Sequence, residues 1–220
     1  MSVLKTIKCK CCGERGTPKN NSTLGYYCEK SECQDARIEK ALKKVRQSTE
    51  AATKKANKIW NAERKQIMEK LKTLSDWKAD LQKEVNLIAR LIDKGQPCIA
   101  SGRTYGKFAG GHFIAVGANA TIRFHLDNIH AQTFESNSFR GGDNFKYRQG
   151  ILKTYGKDYL DKLEALQSYP AIHLTVDDLK EKIKLARVVV KDLKLKDLVY
   201  NKDERIILRK IYNNFIGIYK

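Results

Sequence analysis

Long apolar runs are missing from this 220-residue chain: none approaches the ~20 consecutive apolar residues that cross a bilayer. A signal segment is missing too. Met1–Lys10 is broken by polar residues and holds no hydrophobic core, so a reducing cytoplasm is the expected compartment. Acidic residues are scarce beside basic ones, 25 against 43, which leaves a net charge of +18. That imbalance implies a polyanionic partner held through counterion release, although charge alone does not separate DNA from RNA or from an acidic membrane. Aromatic-rich stacking motifs for single-strand readout are absent, which sets a structural RNA-binding protein aside. Between Ala36 and Lys72 there is neither proline nor glycine. This stretch sets basic residues (Arg37, Lys40, Lys43, Lys44, Lys54, Lys55, Lys58, Arg64 and Lys65) among alanines and a thin apolar stripe. It reads as one long exposed helix, a solvated spacer or a basic arm along a phosphate backbone.

What is present begins with cysteine. Cys9 and Cys12 form a Cys-x-x-Cys pair followed by Gly13, where a tight turn aims backbone amides at sulfur, and Cys28 and Cys33 supply a second pair. Four thiolates close a structural Zn²⁺ site, and so short a segment gains most of its folding free energy from the metal. The second pair is one residue wider than the commonest knuckle, and Cys11 is a possible substitute for either partner. In a reducing compartment zinc is favoured over a disulfide.

A second constellation lies between Cys98 and Arg148. Gly110-Gly111-His112-Phe113 is followed by Arg123-Phe124-His125-Leu126-Asp127-Asn128-Ile129-His130 and then by Asn137. The order resembles that of metal-dependent HNH nucleases, whose small ββα-metal core is a hairpin followed by a helix. The resemblance implies that His112 is the general base, and an imidazole near its ordinary pKa can take a proton from water at neutral pH. The apolar run from Phe113 to Val116 reads as a strand that His112 begins, and the two glycines as room for close approach of the backbone to substrate. Asn128 would pin the loop and orient His112, and Asn137 would open the short helix and offer an oxygen to Mg²⁺ or Mn²⁺. His130 is open between a catalytic or second metal-ligating role and a plain hydrogen bond to the loop. His125 reads as solvated and His173 as a loop residue.

The likeness extends further. Cys98-Ile99-Ala100-Ser101-Gly102, Ala109 to Phe113, Arg123-Phe124, Asn128-Ile129-His130 with Gln132, then Asn137, Gly142, Asn144 and Tyr147-Arg148 resemble the NinG/Rap family of bacteriophage recombination proteins. With the cysteine-rich N-terminus and helical tail, the resemblance covers most of residues 1 to 195. It implies a structure-specific endonuclease that uses a divalent metal on branched recombination intermediates, Holliday junctions and D-loops, in the host cell cytoplasm, with dimerisation for paired cuts. Candidate DNA contacts are Arg148, Lys146 and Arg103, with Lys153 beside them. One departure stands out. Family members carry two Cys-x-x-Cys pairs around the hairpin, whereas Cys98 alone remains here, with Ser101, Thr133 and Ser136 at the other positions. One thiolate and three hydroxyls cannot close a tetrahedral zinc site, so no zinc is expected in this core, and hydrogen bonds or apolar packing around Phe134 must replace it. The competing function is a catalytically inactive, branched-DNA-binding accessory protein.

The rest reads as helix. A segment N-capped by Ser75 or Asp76 runs to Asp93 with Trp77, Leu81, Val85, Ile88, Leu91 and Ile92 on one face. Further helices are expected over Asn144–Tyr155, over Asp158–Leu166, and from a Thr175/Asp178 capping box to Leu193. The apolar tail from Asn201 to Lys220 packs on the core or on a second subunit. The expected fold is α+β and mostly helical, with a zinc knuckle at 1–35, a basic arm at 36–74, an HNH-like core at 75–168 and a helical C-terminal region at 169–220.

Overall fold

A computed structural model describes residues 6–18, 24–138 and 144–219, and the chain divides into two compact units, Met1–Leu71 and Lys72–Lys220. Gly142 of the motif lies outside the described residues. In the first unit, β1 (Ile7–Lys8) pairs antiparallel with β2 (Arg15–Gly16), and α1 runs from Ser31 to Lys70. This helix starts five residues before Ala36, because Cys33 sits buried in its first turn. Cys33 is the buried residue of α1, while Ile38, Leu42, Val45, Ile59, Trp60 and Ile67 are exposed along it. Its 40 residues span about 60 Å at ~1.5 Å per residue.

The second unit is built on α2 (Leu74–Ile92), whose buried face is Trp77, Leu81, Val85, Ile88, Ala89 and Ile92. Leu91, expected on that face, is only partly buried at its edge. The N-cap is Thr73 rather than Ser75 or Asp76: Asp76 is the N3 partner whose carboxylate returns to the Thr73 amide. The α2 face packs on Leu179, Ile183, Ala186, Val190 and Leu193 of α6 (Val176–Lys196), which opens with the expected Thr175/Asp178 capping box. A third such box, Asn201 with Glu204, starts α7 (Lys202–Ile216). The tail packs inward through Tyr212, Ile216, Ile218 and Tyr219 and leaves Ile207, Ile211 and Phe215 exposed.

Two strands lie against this helical layer. β3 (Phe108–His112) pairs antiparallel with β4 (Ile129–Thr133), with Gly111 opposite His130 and His112 opposite Ile129. His112 therefore ends a strand rather than beginning one. The apolar run after it leaves the ladder because the Phe113 amide donates to the Asn128 carbonyl and the Ile114 amide to Asn128 Oδ1. The glycines serve packing: a Cβ on Gly110 would lie 3.0 Å from the Asn86 carbonyl of α2, and one on Gly111 would strike Gln132. α3 (Phe134–Ser138) follows β4 directly, so Asn137 lies inside this helix and does not open it. α4 (Asn144–Tyr155) and α5 (Lys157–Ala165) complete a second apolar cluster with Phe113, Ile114 and Ile122.

A buried ion cluster joins these layers. Asp93, at the α2 C-cap, accepts from the Ala131 amide of β4 and from Arg209 Nη2, each at 2.9 Å. Arg209 is fully buried and also donates to the carbonyls of Ile129 and Leu126, while Arg205 lies 3.6 Å from the other Asp93 oxygen. Burial raises the Asp93 carboxyl, but the charge and hydrogen bond of Arg209, with His130 and the Ala131 amide, together outweigh it and hold the group below the ordinary carboxylate value.

Candidate functional site

In the first unit the Sγ atoms of Cys9, Cys12, Cys28 and Cys33 lie within 4.8 Å of one another. A tetrahedral site with Zn–S of about 2.3 Å has edges of about 3.8 Å, so this donor set fits Zn²⁺. Cys11 is exposed and stands outside the cluster. The turn at Gly13, with φ +78°, brings its amide to the Cys9 carbonyl. Burial raises the Cys9 thiol, but the amides of Cys28, Cys12 and Cys11 outweigh it and bring its pKa down to about 6.

In the second unit Cys98, Ser101, Thr133 and Ser136 do come together. Cys98 Sγ accepts from the amides of Ser101 (3.4 Å) and Thr133 (3.3 Å). The Thr133 hydroxyl lies 3.8 Å from this sulfur and 2.9 Å from Ser136 Oγ. Burial raises the Cys98 thiol, yet these hydrogen bonds outweigh it and lower its pKa to about 7. Hydrogen bonding, not Phe134, thus ties the strand ends: Phe134 is 63% exposed.

His112 Nε2 lies 2.9 Å from the Arg123 carbonyl. A carbonyl only accepts, so Nε2 carries the proton. Burial lowers the imidazole pKa, with the positive Arg123 adding to the effect, and the ring is neutral at neutral pH. Nδ1 is then the nitrogen with the lone pair, and among the described residues it has no hydrogen-bond partner. His112 lines a cleft of about 410 Å³ with Asn144, Arg148 and Glu164. Asn128, fully buried, donates through Nδ2 to the carbonyls of Ile114 and Ile122. It pins the loop, as expected, but the direct hold on His112 belongs to the Arg123 carbonyl one residue beyond.

His130 differs from its sequence reading. Its Nδ1 is 3.0 Å from the Tyr147 hydroxyl, which donates to the Gly111 carbonyl, and its Nε2 is 3.3 Å from the Tyr159 hydroxyl, whose single proton is shared between this nitrogen and Asp127 Oδ1 at 3.0 Å. Both ring nitrogens are occupied in a 1% exposed site, so His130 faces neither a metal nor a phosphate. Asn137 lies elsewhere again: its Oδ1 and Gln132 Oε1 converge beside Gly111, 2.9 and 1.7 Å from where a Cβ there would sit. His125 is buried rather than solvated and accepts from the Asp127 amide.

Residues 1–196 match the protein family described as Bacteriophage Lambda NinG protein. The chain belongs to the NinG family. Its curated relatives include the ninG proteins of Enterobacteria phage H19B (32% identical over 96 residues, 43% of this chain and 48% of that protein) and Escherichia phage lambda (31%, 43% and 47%). That of Salmonella phage P22 is also 31% identical over 96 residues, again 43% of this chain and 47% of the relative. The match thus spans about half the length of these relatives. No solved structure matches. Among the described residues no helix is long and apolar enough to cross a membrane.

Of the cationic residues read from the NinG-like motif, Arg148 lines the His112 cleft, its Nε 2.8 Å from Glu164. Arg103 pairs with Glu135 of α3, and Lys146 is exposed on α4; neither lines the cleft. Tyr147, Tyr155, Tyr159, Gln132 and Glu164 were missed as site residues. The four-residue spacing of Tyr147, Ile151 and Tyr155 along α4 was the available signal, since it puts both rings on one buried face.

All four clustered cysteines lie in the first unit, which sets a test. The chain is expected to carry one equivalent of Zn²⁺ by elemental analysis, and Cys9→Ser to lose it. Stripping the metal with a chelator is expected to leave the thermal midpoint of the Lys72–Lys220 unit unchanged, because the Cys98 cluster needs no ion.

Proposed function

We propose that this NinG-family chain is a metal-dependent, structure-specific endonuclease that hydrolyses phosphodiester bonds in branched recombination intermediates such as Holliday junctions and D-loops. The observation that carries the reading is His112, a neutral imidazole held by one nitrogen on a backbone carbonyl, with no hydrogen-bond partner for the other among the described residues, in a cleft that also contains Arg148. In this reading water gives a proton to His112 Nδ1 and the hydroxide attacks phosphorus. The bond from phosphorus to the bridging sugar oxygen then breaks, and the departing oxygen takes a proton from solvent water to leave as a hydroxyl. Arg148 exchanges Glu164 for a phosphate oxygen, an exchange suited to a guanidinium. His130 is a positioning residue, because through Tyr147 it grips the Gly111 carbonyl and so the strand end that carries His112.

Asn137 Oδ1, which lies beside Gly111, is the oxygen that would hold Mg²⁺ or Mn²⁺, with the remaining positions left to water and substrate phosphate. A cation bound there would neutralise charge on the phosphate. The net charge of +18 supports a DNA partner through counterion release.

The test is incubation with a labelled four-way junction and a linear duplex, in Mg²⁺, in Mn²⁺ and in EDTA. Junction cutting that requires metal and spares the duplex is the expected result. Binding of the junction without cutting in either metal overturns the reading in favour of a branched-DNA-binding accessory protein.

A further inference from the structure

A second cavity, of about 570 Å³, opens in the Lys72–Lys220 unit and shares no lining residue with the His112 cleft. Tyr155 and Tyr159 form one wall, their rings stacked with centroids 4.5 Å apart. Tyr169 and Tyr219 form another, edge to face at 5.3 Å. Lys162 and Lys210 also line it; both are exposed, and neither has an ion-pair partner among the described residues.

We propose that this cavity receives one unstacked nucleotide of the DNA strand, its base between the tyrosines and its phosphate on Lys162 and Lys210. The inference rests on the DNA reading above and deepens it. A volume of this size suits a small ligand buried on most sides. Every base offers a π-face to aromatic rings whatever its identity, so tyrosine walls take a base without reading sequence. The two exposed ammonium groups supply the charge a phosphate needs.

The cavity is also joined to the other site. Asp127 and Tyr159 line it, and Tyr159 touches His130, which touches Tyr147, which donates to the carbonyl of Gly111, the residue before His112. Seating a base against Tyr159 therefore bears on the strand end that holds the base catalyst. Unstacking a nucleotide from an intact duplex is costly and from a branch point much less so. Such a pocket gives preference for branches a physical origin that base-sequence contacts do not supply.

The probe is 5-iododeoxyuridine, whose photochemistry links a base to an aromatic ring stacked on it, placed at the branch point of a four-way junction. His112→Ala protein keeps the DNA whole during irradiation, and the linked peptide is mapped by mass spectrometry. The expected link is to Tyr159 or Tyr169, the two half-buried rings of the cavity, with a yield about tenfold lower or more in a Lys162→Glu/Lys210→Glu variant, whose two changes are at exposed positions. Links confined to the His112 cleft or to α1, or a yield that the variant leaves unchanged, overturn the proposal. So does efficient linking of free 5-iodo-dUMP where the junction gives none, which would make the cavity a site for free nucleotides. Cleavage by the unaltered chain is scored separately: cutting with links elsewhere sinks the pocket alone, and pocket links without cutting sink the endonuclease alone.

Discussion

His112→Ala is expected to lower metal-dependent junction cleavage by about 10²–10⁴-fold, the range that a positioned general base contributes. Junction affinity should stay as it was, since the cationic residues that meet the phosphates remain. The pH profile of the unaltered chain provides an independent check. His112 works as a base only when neutral, and its pKa lies below the ordinary 6.5 because the ring is buried. Cleavage should therefore be flat through neutrality and fall on the acid side only below 6.5, as Nδ1 takes up a proton. An acid limb centred above 6.5 would remove His112 from the role. So would a variant that still cuts at the original rate.

The largest effect on stability is expected at Arg209. Its guanidinium is wholly buried, pairs with Asp93 and caps the Ile129 and Leu126 carbonyls. Arg209→Ala leaves the Asp93 carboxylate buried beside two unfilled acceptors, and removal of one partner from a buried pair costs about 3–5 kcal/mol. That is a large part of the ~5–15 kcal/mol that holds a typical domain folded. Urea unfolding of the variant should show a much lower midpoint. A second change, Asp93→Ala, should recover part of the loss, because the orphaned charge goes with it. If the double variant is as unstable as the sum of the single ones, the pair does not act as a pair. The same cluster sets an acid limit. Since Asp93 titrates below the ordinary 3.8 in the folded chain, its contribution is complete above 3.8 and is lost as pH falls through the folded value.

Local pattern made much of this fold readable. The face of α2, the Thr175/Asp178 box of α6 and the four cysteines are set by spacing over a few residues, and spacing is visible in a sequence. The order of His112, Asn128 and Asn137 was equally visible. What each touches was not. Asp93 read as the end of a helix and Arg209 as part of an apolar tail, because a separation of 116 positions along the chain hides their contact. His125 read as solvated because its alternation with Arg123 and Asp127 looked like a strand, whereas the segment turns and Tyr219, from the far end of the chain, packs at 4.8 Å from the imidazole ring. His130 read equally as a ligand or as a hydrogen-bonded loop histidine, and the burial of both nitrogens among tyrosines decides for the second. The double glycine read as an opening for substrate, while its neighbours Asn86, Gln132 and Asn137 come from other elements.

Cys33 has a consequence for how α1 comes to exist. A helix of 40 residues whose buried residue is Cys33 receives almost no packing energy along its length, so its population follows helix–coil statistics. In those statistics the first turn is the improbable event, with a nucleation factor of roughly 10⁻³, and each added residue is nearly neutral. Holding Cys33 against Cys9, Cys12 and Cys28 fixes that first turn from outside the helix. An ion seated among the four sulfurs therefore acts as a starter for about 60 Å of rod, and circular dichroism at 222 nm should register metal loading as a gain of helix far larger than the few residues that ligate it.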